Sequence, residues 1–304
     1  MLAMRIAVTS DLHYDVTPQN HTFLPYLVDE VRRQSPDALV LGGDLANNLA
    51  GWSEVLEYFG PLEMLKLVVP GNHDVWIESK RALKRGQDSA WKHDIALPGI
   101  AVQHGFHYLP GNPIVAGCIG FIGSIGWYDY SLRDPRLDGA IGCQEYEKGT
   151  LTDGSGRTVV WNDTRRAAWL RHPHSEDWRQ RRLRLPAREV CAKLVKSLEA
   201  ECQSIAGRVS KIVAVIHTNP FRSCISPAIT PDPFDAYEGS VHLGELLARL
   251  GAHHEVLCIC GHRHQRLDTW EAGIRVIRTP VGYLDHFKGA YSTLAAEVVR
   301  VFTV

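Results

Sequence analysis

An apolar run, Leu67 to Val69, meets Pro70 and Gly71 and then delivers Asn72, His73 and Asp74 in a row. A surface turn would use the amide and the carboxylate, but it has no need of the imidazole. Four other apolar runs end in a similar way. "TSDLH" offers Asp11 and His13, "LGGD" offers Asp44, "VIHTNP" offers His217, and "CGHRH" offers His262 and His264. Side chains two apart on an extended chain share a face, so Asp11 can meet His13 and His262 can meet His264. Carboxylate, imidazole and amide oxygen form a mixed nitrogen–oxygen donor set. Such a set suits Mn, Fe, Co, Ni or Zn rather than an all-oxygen Ca site or a thiolate site. The donors are too many for one ion with open positions, and they suit two ions about 3.5–4 Å apart that share a carboxylate.

Donors so far apart in sequence need elements that end on one edge. "RIAVTSD" (Arg5 to Asp11) and "DALVLGGD" (Asp37 to Asp44) read as strands, and "KLVVPGNHD" as a third. Between them, "HTFLPYLVDEVRRQ" carries Phe23, Leu24, Leu27, Val28 and Val31 on one helical stripe, and "WSEVLEYFG" is a short helix stopped by Gly60. This βαβαβ rhythm predicts parallel strands, whose ligand crevice lies beyond their carboxyl ends. From Phe106 to Tyr130, short β runs between Gly and Pro turns predict hairpin-like strands. Residues 131–185 are charged, with "RHPHSEDWRQRRLR" and the embedded Trp169 and Trp178. They are expected to be an insertion over the scaffold, with a solvated irregular loop as the alternative. Then follow a long amphipathic helix from Pro186 to Gly207, a strand in "KIVAVIHTNP", a helix in "SVHLGELLARLG" and a strand in "EVLCICGHRH". "IRVIRTPVGY" and "TLAAEVVRVFTV" are expected to finish the sheet.

The chain of 304 residues is 45% hydrophobic and 22% charged, and is expected to form one domain over 1–304. A net charge of −1 gives no bulk attraction to nucleic acid or to an anionic membrane. Nucleic acid stays possible through "WRQRRLR", but nothing marks a track for it. No stretch approaches the roughly 20 apolar residues of a membrane span. The opening "MLAMRIAVTSD" is too short in its apolar part for a leader, and the seven scattered Cys fit a reducing compartment, so a cytoplasmic location is expected.

The ordered set "DLH", "GGD", "GNHD", His217 and "GHRH" resembles the calcineurin-like metallophosphoesterase superfamily, over most of the chain from Asp11 to His264. The resemblance implies an α/β fold, a four-layer α/β/β/α sandwich of two mixed sheets flanked by helices. It implies that Asp11, His13, Asp44 and His264 hold one metal, and that Asp44, Asn72, His217 and His262 hold a second, with Asp44 bridging. Manganese, or iron with zinc, comes first among the metals. His73 would face the substrate phosphate rather than bind metal, and Asp74 would anchor its turn. Many members carry an Asp three residues after the bridging Asp, where it orients the catalytic His; here that position is Asn47. A neutral amide stabilises an imidazolium less than a carboxylate does. The protein Ser/Thr phosphatases carry an Arg at the next position, which is Asn48 here, and the purple acid phosphatases have a Tyr ligand at the Asn47 position.

The expected activity is hydrolysis of phosphoesters, with a metal-bridging hydroxide as nucleophile and His73 donating to the leaving oxygen. A phosphodiesterase acting on small or nucleotide-like molecules leads. A phosphomonoesterase or nucleotide pyrophosphatase on the same centre is the alternative, with a nuclease or a non-catalytic scaffold behind. Neither the natural substrate nor the oligomeric state is written in the chain. Tyr14, Trp76, Trp127, Tyr283 and His286 lie near motif ends, where they are either pocket walls or ordinary packing. Arg263 is expected to point away from the metals, and His172, His174, His253 and His254 to lie at the surface. A Cys₂His₂ zinc site from Cys258, Cys260, His262 and His264 is the competing assignment. Four same-face positions on one strand cannot wrap a tetrahedron.

Overall fold

Strand β1 (Arg5–Thr9) is apolar on both faces because it lies inside a layered stack. Ile6 and Val8 face a second sheet, and Ala7 faces helices. The computed structural model describes residues 3–152, 155–173, 175, 177, 180, 183–225 and 230–304; His174 and Trp178 lie outside this set. Strands β2 (Ala38–Leu41), β3 (Leu65–Val68) and β4 (His107–Tyr108) extend β1 in parallel. A hairpin of β5 (Ile114–Ala116) and β6 (Ile119–Ser124) opens the second sheet, and β7 (Thr150–Thr152) and β8 (Thr158–Val160) form a separate ribbon. Next come β9 (Lys211–Ile216), β10 (Glu255–Cys260), β11 (Leu267–Glu271), β12 (Ile274–Arg278) and β13 (Arg300–Thr303). One sheet runs β13-β1-β2-β3-β4 with β13 antiparallel, and the other runs β11-β12-β10-β9-β6-β5 with an antiparallel strand at each edge. Both sheets are mixed, and helices flank them, as expected.

The side-chain period of two sorts each strand. Val40, Leu67, Val213, Val215 and Ile259 join Ile6 and Val8 between the sheets. Leu39 and Leu41 turn to the helices Pro18–Gln34 and Leu49–Phe59, while Ile212, Ala214, Cys258 and Cys260 turn to Ala187–Ile205 and Val241–Gly251. Each fully buried aliphatic side chain contributes roughly 1.5–3 kcal/mol. Cys258 and Cys260 thus lie on the helix side of β10, under a helix.

Two expectations fail. The stretch "TLAAEVVRVFTV" was expected as strand throughout, but Tyr291–Val298 is a helix and only Arg300–Thr303 is strand. Tyr291, Leu294, Ala295 and Val298 make a helical stripe, and Tyr291 packs on Phe23 and Tyr26 of the helix Pro18–Gln34. The solvated loop fails for the described residues of 131–185. That segment holds the helix Cys143–Lys148, the β7–β8 ribbon and the helix Asn162–Arg166, and it buries Tyr146, Leu151, Ala168 and Leu170. Strands β11 and β12 join through Ala272 and Gly273, both at positive φ (49° and 77°), as a two-residue primed turn requires.

Candidate metal centre

The motif residues come after the strands rather than on them. Strand β1 stops at Thr9, and Asp11 and His13 take left-handed backbone (φ 54° and 44°). Asp44 and His262 do the same (φ 54° and 71°). The expected extended pairing of Asp11 with His13, and of His262 with His264, is therefore replaced by tight turns that aim each side chain separately. Left-handed backbone costs a non-glycine residue roughly 1–2 kcal/mol. Hydrogen bonds between adjacent loops hold it: Asp11 N–H donates to Gly43 O (2.9 Å), His13 N–H to Asp44 O (3.0 Å) and His262 N–H to Asp11 Oδ1 (2.8 Å). Glycine is required at Gly71, where a Cβ would come within 2.1 Å of Asp44 Oδ1.

Three overlapping groups of ligand atoms result. Asp11, His13 and His264 form one, His13, Asp44 and His73 a second, and Asp44, His217 and His262 a third, each with its atoms within 4.8 Å of one another. Asp44 connects them: its Oδ2 lies 3.7 Å from His13 Nε2, 3.4 Å from His217 Nε2 and 4.0 Å from His73 Nε2. Asn72 joins the third group, its Oδ1 lying 3.2 Å from His217 Nε2 and 2.9 Å from His262 Nδ1. The donor chemistry fits a cation. His217 Nδ1–H donates to Gly42 O (2.9 Å) and His262 Nε2–H to Tyr237 O (3.2 Å), which leaves each opposite ring nitrogen free to ligate. His13 Nε2 and His264 Nε2 stand 2.9 Å apart. Both nitrogens could thus be offered to one cation.

Residues 4–266 match the family model of the calcineurin-like phosphoesterases. The chain belongs to that family. It is a phosphoester-hydrolysing enzyme, of a family that uses divalent metals. Phosphopantetheinyl hydrolase from Mycobacterium tuberculosis is similar in structure at 19% identity and a TM-score of 0.67, over 98% of this chain and 95% of that one. At that identity the likeness is one of fold. A dimetal phosphatase from Danio rerio aligns at 15% identity and a TM-score of 0.47, over 90% of this chain and 86% of that one. No curated protein matches the chain.

In this phosphoesterase His73 stands at the edge of the donor groups. Its Nδ1–H donates to Asn47 Oδ1 (2.8 Å), its ring lies 3.7 Å from that of Trp76, and Nε2 faces the centre. Burial lowers its pKa, and Asp44 only partly opposes that. Burial also disfavours charge on both His217 and Asp44, but their attraction wins. His217 is pushed up to about 10, and the Asp44 carboxyl is held well below the usual range. Burial, then the charge on His217, lowers His262 to about 4. Asp74 accepts four backbone N–H bonds, from Asp44, Leu45, Ala46 and Gly71 (2.8, 2.9, 3.0 and 2.7 Å), so it anchors the turn as expected. Burial and the charge of Asp44 push its pKa up to about 7 despite those donors.

Around the centre, Trp76 and Tyr283 line a pocket of about 280 Å³ with Val159, Trp161 and Phe234. Tyr14 and Trp127 are core residues, and the His286 side chain is 94% exposed. Arg263 turns away to Asp235 (3.2 Å) and Glu238 (3.3 Å). His172 and His253 are exposed, and His254 is half-buried. The zinc alternative fails: burial pushes both the Cys258 and the Cys260 thiols up, and Cys260 Sγ faces Asn219 rather than the imidazoles. Two further carboxylates support the site. Asp15 accepts from the Asn47 backbone N–H (2.9 Å) and from Asn47 Nδ2 (3.2 Å), which turns Asn47 Oδ1 to His73. Asp163 accepts from Asn72 Nδ2 (3.0 Å). The signal for Asp163 was present, because "TVVWND" is another β run that ends in an amide and a carboxylate.

Proposed function

We propose that the enzyme is a dinuclear phosphodiesterase acting on small or nucleotide-like substrates. Asp11, His13, Asp44 and His264 would hold one divalent ion, and Asp44, Asn72, His217 and His262 the other. The observation that carries this is the position of Asp44 between the two donor groups, 3.7 Å from His13 and 3.4 Å from His217. Donors of Asp, Asn and His without thiolate suit Mn, Fe, Co, Ni or Zn, and the family resemblance puts manganese, or iron with zinc, first. When bound, such ions lower the pKa of water to about 7 and neutralise charge on phosphoryl oxygens. The protein does the rest. Asp44 and Asn72 line the pocket, and His73, once protonated, would donate from Nε2 to the leaving oxygen while its Nδ1–H stays bonded to Asn47 Oδ1. Trp76, Trp161, Phe234 and Tyr283 offer apolar and planar walls for an organic arm. No Arg or Lys lines that pocket among the described residues, which suits the single charge of a diester better than the double charge of a monoester.

A second reading has one observation in its favour. His73 lies within 4.8 Å of ligand atoms of His13 and Asp44, so it has the reach to bind an ion itself.

The test is turnover of bis(p-nitrophenyl) phosphate beside p-nitrophenyl phosphate, after chelation and readdition of Mn, Zn, Fe(II), Co or Ni. Metal-restored cleavage that favours the diester supports the proposal. Preference for the monoester replaces it with a phosphatase, and restoration by a single equivalent of metal removes the dinuclear part.

A further inference from the structure

We propose that Asp163, carried by the 131–185 segment, is a positioning residue that sets the amide of Asn72 for the second metal ion; this rests on the two-ion reading above. Asp163 follows β8 in the helix Asn162–Arg166 and is 2% exposed. An ionised carboxylate can only accept. Asn72 Nδ2–H donates to Asp163 Oδ1 at 3.0 Å. A flipped amide would turn its oxygen onto the carboxylate, so the flip is closed and Asn72 Oδ1 stays toward His217 and His262.

The same carboxylate reaches two more parts of the centre at one remove. Trp76 Nε1–H donates to Oδ1 (2.6 Å), and Trp76 stacks on His73. Trp161 Nε1–H donates to Oδ2 (3.0 Å), and Trp161 stacks on Tyr237 with ring centroids 4.9 Å apart and planes 13° apart. The carbonyl of Tyr237 accepts from His262 Nε2–H. Asp163 thus orders Asn72, His73 and His262 through three neutral donors. No Arg or Lys pairs with it among the described residues. A buried carboxylate bonded only to neutral donors is costly, and a cation on the far side of Asn72 offsets that cost.

The experiment titrates metal-free wild type, Asp163→Asn and Asp163→Ala with Mn(II), following free Mn(II) by its electron spin resonance. Wild type is expected to bind two ions. Asp163→Ala is expected to keep the first affinity and to bind the second ion about 10–100-fold more weakly, the usual effect of removing a partner of a metal ligand. Asp163→Asn keeps the shape but turns an amide N–H onto one of its donors, and is expected to fall between the two. It also carries the test if Asp163→Ala does not fold, with far-ultraviolet dichroism of the metal-free forms as the check. Two ions bound with unchanged affinities in the variants would overturn the role of Asp163 and leave the two-ion reading standing. A wild type that binds a single ion overturns that reading, and this assignment with it.

Discussion

His73 is the residue whose chemistry is most exposed to test. Its Nδ1–H is held by Asn47, which is in turn held by Asp15, so no carboxylate contacts Nδ1 directly. If His73 donates the proton, His73→Ala is expected to lower kcat by about 10²–10⁴-fold while metal content stays at the wild-type level. Metal analysis beside turnover checks this, and loss of an ion would make His73 a ligand instead. Asn47→Asp replaces the amide with a carboxylate that favours the imidazolium. The lowered pKa of His73 then rises, and the alkaline limb of the kcat–pH profile moves to higher pH. An alkaline limb that stays in place would remove His73 as the acid. At this scale the sequence is legible where a chemically distinctive residue directly follows a strand. It is silent on Asp15, whose partner Asn47 lies 32 residues away, and for Asp163 it offers a strand end but not the partner Asn72, 91 residues away.

At the scale of elements, the loops that end the strands are bound to one another rather than to the strands. Asp74 ties the loop after β3 to the loop after β2 with three of its four backbone acceptances, the fourth closing its own turn at Gly71. Asp74→Ala orphans four buried donors at roughly 1–3 kcal/mol each, so a loss of at least about 3 kcal/mol is expected in urea unfolding of the metal-free protein. A loss under about 1 kcal/mol would mean that water replaces the carboxylate. Glu201, on the helix Ala187–Ile205, similarly joins Gly111 N–H (2.7 Å) to Gly123 N–H (3.2 Å). Burial pushes its pKa up to about 7, against those two bonds. A carboxyl with a raised folded pKa contributes stability in full below its unfolded value of about 4.3, and that contribution is lost as pH rises through the folded value. The wild-type advantage over Glu201→Gln in urea midpoint is therefore expected to be larger at about pH 5 than at about pH 8. An advantage that grows with pH would contradict this. The apolar strands were legible because burial on both faces needs uninterrupted apolar runs. The left-handed turns after them were not, because their conformation is imposed by bonds to neighbouring loops. The helix Tyr291–Val298 was hidden by β-branched neighbours, although its stripe of Tyr291, Leu294, Ala295 and Val298 was there to be read.

Over the whole molecule, two mixed sheets present their loops at one place, and the centre gathers His and Asp side chains into overlapping candidate ligand groups. Metal that binds only the folded state stabilises it by about 2.7 kcal/mol per site at a hundredfold excess over Kd. Chelation is expected to lower the thermal midpoint, and readdition of Mn to restore it; a midpoint indifferent to chelator would argue against a resident metal. The two-sheet architecture was legible because alternating apolar runs and helical stripes continue along the chain. The packing of 131–185 was not, because its charged surface conceals a few buried anchors such as Tyr146 and Leu151. The loops of both sheets must meet for the centre to exist, and His262 follows Asp11 by 251 residues. At about 5–20 residues per second, a ribosome needs about 12–50 s to cover that distance. A cation that draws on both sheets therefore meets its full set of donors only after His262 and His264 have been made.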